Sequence, residues 1–293
     1  MILTIDIGNT TVALCGVRGG QVCFAARVDT TRGAGVAEYR ARLEKAFSTA
    51  KHQPVRFEGA ILSSVVPELT EVLAVCAGEY CPAPPLIVSP ALQTGLVMDV
   101  PHPEQVGRDR IVDAAAAAAH YPLPVVTVDM GTATTFNVVD ENRHFLGGVI
   151  CPGLSTGLRA LNEKCAQLPP VRLGKPKAAI GTDTQSCMQN GAVLGTAAMI
   201  DGIADRIEQQ LGRPVTVVVT GGLARFVTPY CRRKVVLDNQ LMQKGLAALY
   251  AANIGAKAAC APAAARRPRR RRSGGRGGKK NNAGEGGNSP AST

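Results

Sequence analysis

Apolar positions along this chain change their period at short intervals, and the changes come twice in the same order. Residues 1–5, 11–17 and 22–29 are short apolar or alternating runs separated by tight turns, the second at Gly19-Gly20, and read as three successive strands. Residues 36–51 carry helical spacing. Residues 57–66 form a nearly continuous apolar run, the mark of a buried strand, and Pro67 opens a helix after it. A short strand at 85–88, a Pro-rich loop at 99–105 and a helix over 108–120 complete the first half. The second half repeats the theme. Strands are expected at 125–128, 135–139 and 144–150, then a helix near 154–165 and a polar loop. A long helix at 184–210, strands at 215–219 and 234–237, and a closing helix at 239–253 follow. Two copies of this order imply duplicated lobes, each a mixed sheet flanked by helices, with a ligand between them. The expected division is 1–118 for the N-terminal lobe, 119–258 for the C-terminal lobe and 259–293 for a tail.

The repeat carries chemistry at one point in each half. Asp6-Ile7-Gly8-Asn9-Thr10-Thr11 follows the first strand, and Asp129-Met130-Gly131-Thr132-Ala133-Thr134-Thr135 follows its counterpart. A strand that ends in Asp and turns on Gly can set backbone N–H groups and Thr hydroxyls around a phosphate, while the Asp holds a metal ion or its waters. Two such loops facing each other would grip a nucleotide's phosphate tail. There is no G-x-x-x-x-G-K-[ST] loop and no G-x-G-x-x-G, so neither a P-loop nor a dinucleotide fold is indicated.

Composition narrows the setting. A chain of 293 residues can build two lobes with real cores. No apolar run approaches the roughly 18–20 residues of a membrane span, and the N-terminus lacks the basic lead of a signal peptide, so a cytoplasmic protein is expected. Nine cysteines form no C-x-x-C pair and four histidines form no metal spacing, which reads as free thiols in a reducing compartment. The formal charge of +11 is mostly local. From Arg266 to Thr293 there are seven Arg and two Lys against a single acid, Glu285. That tail is Gly-rich and has no aromatic residue, so it reads as a disordered, solvated extension. Its only nucleic-acid role would be non-specific phosphate contact.

The two Asp-Gly phrases, with Thr220-Gly221-Gly222-Leu223-Ala224 as a third strand-to-glycine turn, resemble the phosphate and adenosine motifs of the acetate and sugar kinase, Hsp70 and actin superfamily. The fold implied is two duplicated ribonuclease H-like lobes with nucleotide in the cleft. Further phrases are similar to those of the type III pantothenate kinases. They are Pro103-Glu104-Gln105-Val106-Gly107-Arg108-Asp109-Arg110, then Gly147-Gly148-x-Ile150-x-Pro152-Gly153, then Ile180-Gly181-Thr182-Asp183-Thr184. The resemblance runs from residue 1 to about residue 255.

That resemblance implies ATP-dependent phosphorylation of pantothenate, the first committed step toward coenzyme A. It implies ATP, Mg²⁺ and a monovalent cation, K⁺ or NH₄⁺, as cofactors, and a homodimer. Asp6, Ile7, Gly8, Asn9, Thr10, Thr11, Val12 and Ala13 would form the first phosphate loop, with Asp6 at magnesium. Asp129 would bind the monovalent cation, Thr132 would touch the ATP phosphates, and Gly221 and Gly222 would carry the adenosine. Asp109 would be the catalytic base. Val100, Gly107, Arg108, Asp109 and Arg110 would line the pantothenate site, with Thr184 offered from the partner subunit. Two positions depart from the pattern: Val100 stands where members often carry Tyr, and Arg108 where they often carry a small residue. The other functions compatible with these residues are a non-catalytic regulatory factor on the same fold and a kinase for another small alcohol.

Overall fold

The computed structural model describes residues 1–49 and 56–260. The first sheet contains β1 (Ile2–Ile7), β2 (Thr11–Arg18), β3 (Gln21–Asp29), β4 (Gly59–Ser64) and β5 (Leu86–Ile87), in the order β3-β2-β1-β4-β5. β1 runs antiparallel to β2 and parallel to β4. The second sheet contains β6 (Val97–Met98), β7 (Val125–Met130), β8 (Ala133–Val139), β9 (His144–Pro152), β10 (Thr216–Thr220) and β11 (Val236–Leu237), in the order β11-β10-β7-β8-β9-β6. Apart from the added edge strand β6, it is the first sheet again: β7 is antiparallel to β8 and parallel to β10. Both sheets also carry a register shift between their second and third strands, at Gly16/Val17 and at Val138/Val139.

The strand alternation explains which helices cover which face. Leu3, Ile5 and Ile7 point to one side of β1 and pack with Tyr39, Leu43 and Phe47 of α1 (Val36–Thr49) and Leu69 and Leu73 of α2 (Pro67–Gly78). In the second sheet, Val126, Val128, Val217 and Val219 pack against α5 (Thr184–Leu211) and α6 (Ala224–Val227). α4 (Leu154–Lys164) lies on that face too.

The inner faces are closed by α3 (Arg108–His120) and α7 (Leu241–Cys260), which pack against each other. α3 falls in the chain between β6 and β7 and lies on β7 and β8 of the second sheet. α7 follows that sheet in the chain yet lies on β1 and β4 of the first. The two helices approach at Gly245, where a methyl group would come within 2.8 Å of Ala116 Cβ and 2.9 Å of the Val112 carbonyl. The Thr4 hydroxyl, on the inner face of β1, donates to Gln243 Oε1 at 2.5 Å. Ile61, Val112, Leu246 and Leu249 are buried in this seam.

The expected elements appear, with revealing differences at their ends. β1, β7 and β10 run one or more residues further than their apolar stretches, because ladder hydrogen bonds continue after hydrophobicity stops. Asp6 and Asp129 are therefore strand residues, not turn residues. β6 and α6 were not expected; each is short and held by tertiary contact. Of the interior glycines of α5, Gly191 and Gly195 face open space in this chain, while a methyl group at Gly202 would meet Arg206 Nη1 at 3.3 Å. The basic tail, read above as a disordered extension, lies outside the described residues, as does the end of the helix expected over 36–51. Among the described residues, no helix is long and apolar enough to cross a membrane.

Candidate active site

The site forms where the C-terminal ends of β1, β4, β7 and β10 face the start of α3. Asp6 pairs in register with Ala13 of β2 and Ser63 of β4. Asp129 pairs with Thr135 of β8 and Thr220 of β10. The two aspartates are thus structural equivalents, one per lobe.

Each aspartate leads into a loop whose shape is braced from the end of the third strand. In the first loop, Gly8 N–H donates to the Thr11 carbonyl at 3.0 Å. Thr30, just past β3, closes round it: its hydroxyl donates to the Gly8 carbonyl at 2.7 Å and its N–H to the Thr10 carbonyl at 3.0 Å. Arg32 Nη2 donates to Asn9 Oδ1 at 3.1 Å. Ile7 and Val12 are fully buried core residues and offer a ligand only their backbone, whereas Asn9 and Thr10 are exposed. The second loop is one residue shorter, with Gly131 N–H donating to the Ala133 carbonyl at 3.0 Å. Gly153 N–H and the Thr156 hydroxyl both donate to the Thr132 carbonyl, at 3.1 and 2.7 Å. A methyl group at Gly153 would collide with the carbonyls of Gly131 and Thr132. The loops meet: Thr10 Oγ1 and Thr132 Oγ1 lie 3.1 Å apart, across the cleft.

The third turn follows β10. Gly221 has φ of +99°, a conformation that favours glycine, and a side chain there would stand 2.7 Å from Met130 N and 2.8 Å from Asp129 Oδ1. The Asp129 carboxylate is consequently packed over the Gly221 turn.

Asp109 sits in the first turn of α3. Its Oδ1 accepts the Arg110 N–H at 2.8 Å, folding the carboxylate back over the helix start. Gly107 makes this possible, since a Cβ there would lie 2.5 Å from Asp109 Oδ1. Arg110 is half-buried, donates from Nε to Asn137 Oδ1 at 2.6 Å and lies over the Phe145 ring at 5.8 Å. Asn137 in turn donates to Thr127 Oγ1 at 3.0 Å, so Arg110 is held by a buried chain anchored in the second sheet. A side chain at Gly148 would collide with the Phe136 carbonyl and approach Arg110 Nη2 at 3.2 Å. Val100 packs with Phe145 and Val106, and its Cγ1 lies 3.7 Å from the Cβ position of Gly147. Arg108 turns to the Val106 carbonyl at 3.5 Å.

These side chains share one electrostatic field. Burial pushes the Asp6 carboxyl up to about 7, and the charges of Asp109 and Asp129 push the same way; Arg27 pulls it down in part. The Ser63 hydroxyl on the neighbouring strand also favours the carboxylate, ahead of Arg27. Burial, then Asp109, raises Asp129 to about 6. Asp113, one turn beyond Asp109 on α3, is buried with Oδ1 unpartnered. Burial, then Asp129, Asp109 and Asp6, holds it well above the usual carboxylate range. An acidic group of this kind accepts a cation readily, because a cation reverses each of these repulsions.

The donors are hard oxygens. Among the described residues no three His, Cys, Asp or Glu side chains converge at ligand distance. That suits Mg²⁺, which is usually held by one or two carboxylates while water and phosphate fill its other positions.

Thr184 is the predicted residue that the chain does not bring here. It is exposed at the head of α5, whose start is capped by Asp183 accepting Ser186 N–H at 2.8 Å. α5 covers the opposite face of the second sheet from α3. Sequence reasoning missed Thr30, Asn137 and Asp113. For Asp113 a signal existed, a charged residue between Ile111-Val112 and the alanine run of α3; Thr30 and Asn137 act through partners distant in sequence.

Two lobes of one topology, each with an aspartate and a glycine turn facing a common cleft, define the actin-like class that includes the sugar kinases. Solved structures share this fold. A Baf-family protein from Campylobacter jejuni, described as a candidate transcriptional activator, superposes with a TM-score of 0.57 at 17% identity, over 86% of this chain and 99% of that one. A candidate 2-dehydro-3-deoxygalactonokinase from Sinorhizobium meliloti gives 0.51 at 13% identity, over 85% and 96%. At such identities the likeness speaks for the fold alone. Sequence goes further: residues 2–206 match the type III pantothenate kinase family. A type III pantothenate kinase from an Exiguobacterium species is 38% identical over 253 residues, 86% of this chain and 99% of that protein. This chain belongs to the type III pantothenate kinase family.

Proposed function

We propose that this chain transfers the γ-phosphoryl group of ATP to the primary hydroxyl of pantothenate, with Asp109 as the base that receives the hydroxyl proton. Family membership makes it an ATP-dependent pantothenate kinase of coenzyme A biosynthesis. The assignment of roles within the site is our reading. The observation that carries it is the convergence of Asp6, Asp109 and Asp129 into one field at the junction of both lobes and α3.

The chemistry follows from that arrangement. The pantothenate hydroxyl oxygen attacks the γ-phosphorus, the bond to the bridging oxygen of ADP breaks, and the proton passes to Asp109. In a loose transition state the proton leaves late, so Asp109 acts mainly by aiming the hydroxyl. Arg110, fixed by Asn137, is positioned to take the substrate carboxylate with its free guanidinium edge. Gly107, Arg108 and Val100 form the rest of that wall; valine in place of an aromatic side chain widens it. Thr10 and Thr132, with the backbone of residues 6–13, cradle the phosphates, and Gly221-Gly222 supports the adenosine. Asp6 would hold Mg²⁺, directly or through water, and Asp129 a K⁺ or NH₄⁺ ion; bound there, these ions neutralise phosphate charge. We also propose a cytoplasmic homodimer in which Thr184 completes the partner's substrate site, supported by its exposure and the open face of α5 around Gly191 and Gly195.

The test is direct. Purified protein with ATP, Mg²⁺, K⁺ and pantothenate should yield 4′-phosphopantothenate by mass spectrometry. A folded protein that binds ATP yet yields none, while phosphorylating another alcohol, would overturn the substrate assignment.

A further inference from the structure

A triphosphate brings several negative charges into a cleft already floored by aspartates, and the roles assigned so far give it no protein cation at the nucleotide end. Arg110 belongs to the substrate wall, and Arg32 is engaged with Asn9 Oδ1 and, at 3.9 Å, with Glu68. Arg27 of β3 is different: among the described residues it makes no hydrogen bond and no ion pair, and it is exposed.

The sheet register fixes where it points. Asp6 pairs with Ala13, and Ala13 pairs with Arg27, so the three lie in one row across β1, β2 and β3 and share the inner face. Ala13 offers only a methyl group, which leaves the path from Arg27 toward Asp6 open. Its charge is felt at both Asp6 and Cys15. Its far end reaches the other lobe, where Nη1 lies 3.7 Å from the Cβ position of Gly222. A side chain rooted in the first lobe therefore ends over the glycine turn of the second. The equivalent row in the second lobe runs Asp129, Thr135, Ile150, and Ile150 is 63% exposed. The duplicated fold does not itself require a cation at this position.

We propose that Arg27 is a nucleotide-binding residue that spans the cleft, its guanidinium taking phosphate oxygens of bound ATP between the Asp6 loop and the Gly221-Gly222 turn. A guanidinium fork suits two phosphate oxygens at once. The inference rests on the ATP site proposed above but not on the identity of the acceptor alcohol.

Ligand-observed NMR titrations of ATP and adenosine, each with Mg²⁺ and with EDTA, separate the possibilities. Arg27→Met should weaken ATP about tenfold or more, leave adenosine unchanged, and keep its ATP defect in EDTA, since a charge-assisted contact to phosphate needs no metal. Arg27→Lys should recover only part of the loss. Arg18→Met, an exposed change at the end of β2, should bind as the parent does. Thermal unfolding checks that each variant is folded, and Arg27→Gln replaces Arg27→Met if that one is not. Unchanged ATP affinity overturns the proposal. So does an equal loss for adenosine, or a defect that vanishes in EDTA, which would make Arg27 a counter-charge for Asp6 alone. A protein that shows the Arg27 pattern yet fails to phosphorylate pantothenate keeps this contact and loses only its substrate assignment.

Discussion

The two lobes are the same sheet built twice, and they differ in what surrounds the equivalent aspartates. Asp6 and Asp129 occupy one position in each. Around Asp6 stand a longer loop, a serine on the neighbouring strand and, across the sheet, an arginine. Around Asp129 stand a shorter loop, Thr220, and Ile150 where the other lobe has Arg27. Gly221, with its positive φ, closes directly onto the Asp129 carboxylate, whereas Asp6 faces Ser63 and the open cleft. Topology alone made two equal loops; side chains leave the Asp129 carboxylate closed in by Gly221 and Asp6 beside Ser63, and on the reading proposed above that contrast gives the nucleotide's metal to Asp6 and the single ion to Asp129.

The sharpest way to probe this comparison uses the group that belongs to neither loop. Asp109→Asn should lower kcat by about 10²–10⁴-fold while changing ATP affinity little, because both loops are left whole. Steady-state kinetics beside an ATP titration decide it; retained turnover would remove Asp109 from the chemistry.

A second probe sets the glycines of the two lobes against each other. Gly221→Ala should destabilise the protein by roughly 2 kcal/mol or more, since it meets both a positive φ and a 2.7 Å approach to Met130 N. Gly8→Ala, whose Cβ meets only the Thr11 carbonyl at 3.1 Å, should cost about 1 kcal/mol or less. Urea unfolding of both variants gives the order, and a reversed order would mean that the first loop is the tighter one.

The third effect is a slope. Asp6 is raised from its ordinary 3.8 to about 7 by burial and by Asp109 and Asp129, against Arg27. The unfolded chain loses that proton near pH 4 and the folded one near pH 7. Between these values the folded state holds the extra proton, so this group's contribution to stability falls as pH rises and levels off above about 7. In the nucleotide-free protein the unfolding midpoint should therefore drop from pH 5 to pH 7.5, and Asp6→Asn should flatten that drop. A parallel pair of curves would contradict it.

Much of this was legible in the sequence because the two periods of hydrophobicity, and the punctuation by Gly and Pro, are local signals. The three strands, the helix at Pro67 and the limits of α3 followed from them. The repeat exposed both aspartates, and their common cleft follows from the duplicated topology. What stayed hidden depends on register or on packing between distant segments. Arg27 becomes interesting only once β1, β2 and β3 are aligned. Asn137 matters through Arg110, and Thr30 through a loop that precedes it by a whole hairpin. The exchange of α3 and α7 between the sheets is a tertiary choice that no local pattern records.

The central claim is that the two equivalent aspartates hold different ions, and ATP binding measured across Mg²⁺ and K⁺ concentrations tests it in one experiment. The account predicts that Asp6→Asn loses the Mg²⁺ dependence of ATP affinity and keeps the K⁺ dependence, while Asp129→Asn does the reverse. Loss of both dependences to the same extent in both variants would contradict it.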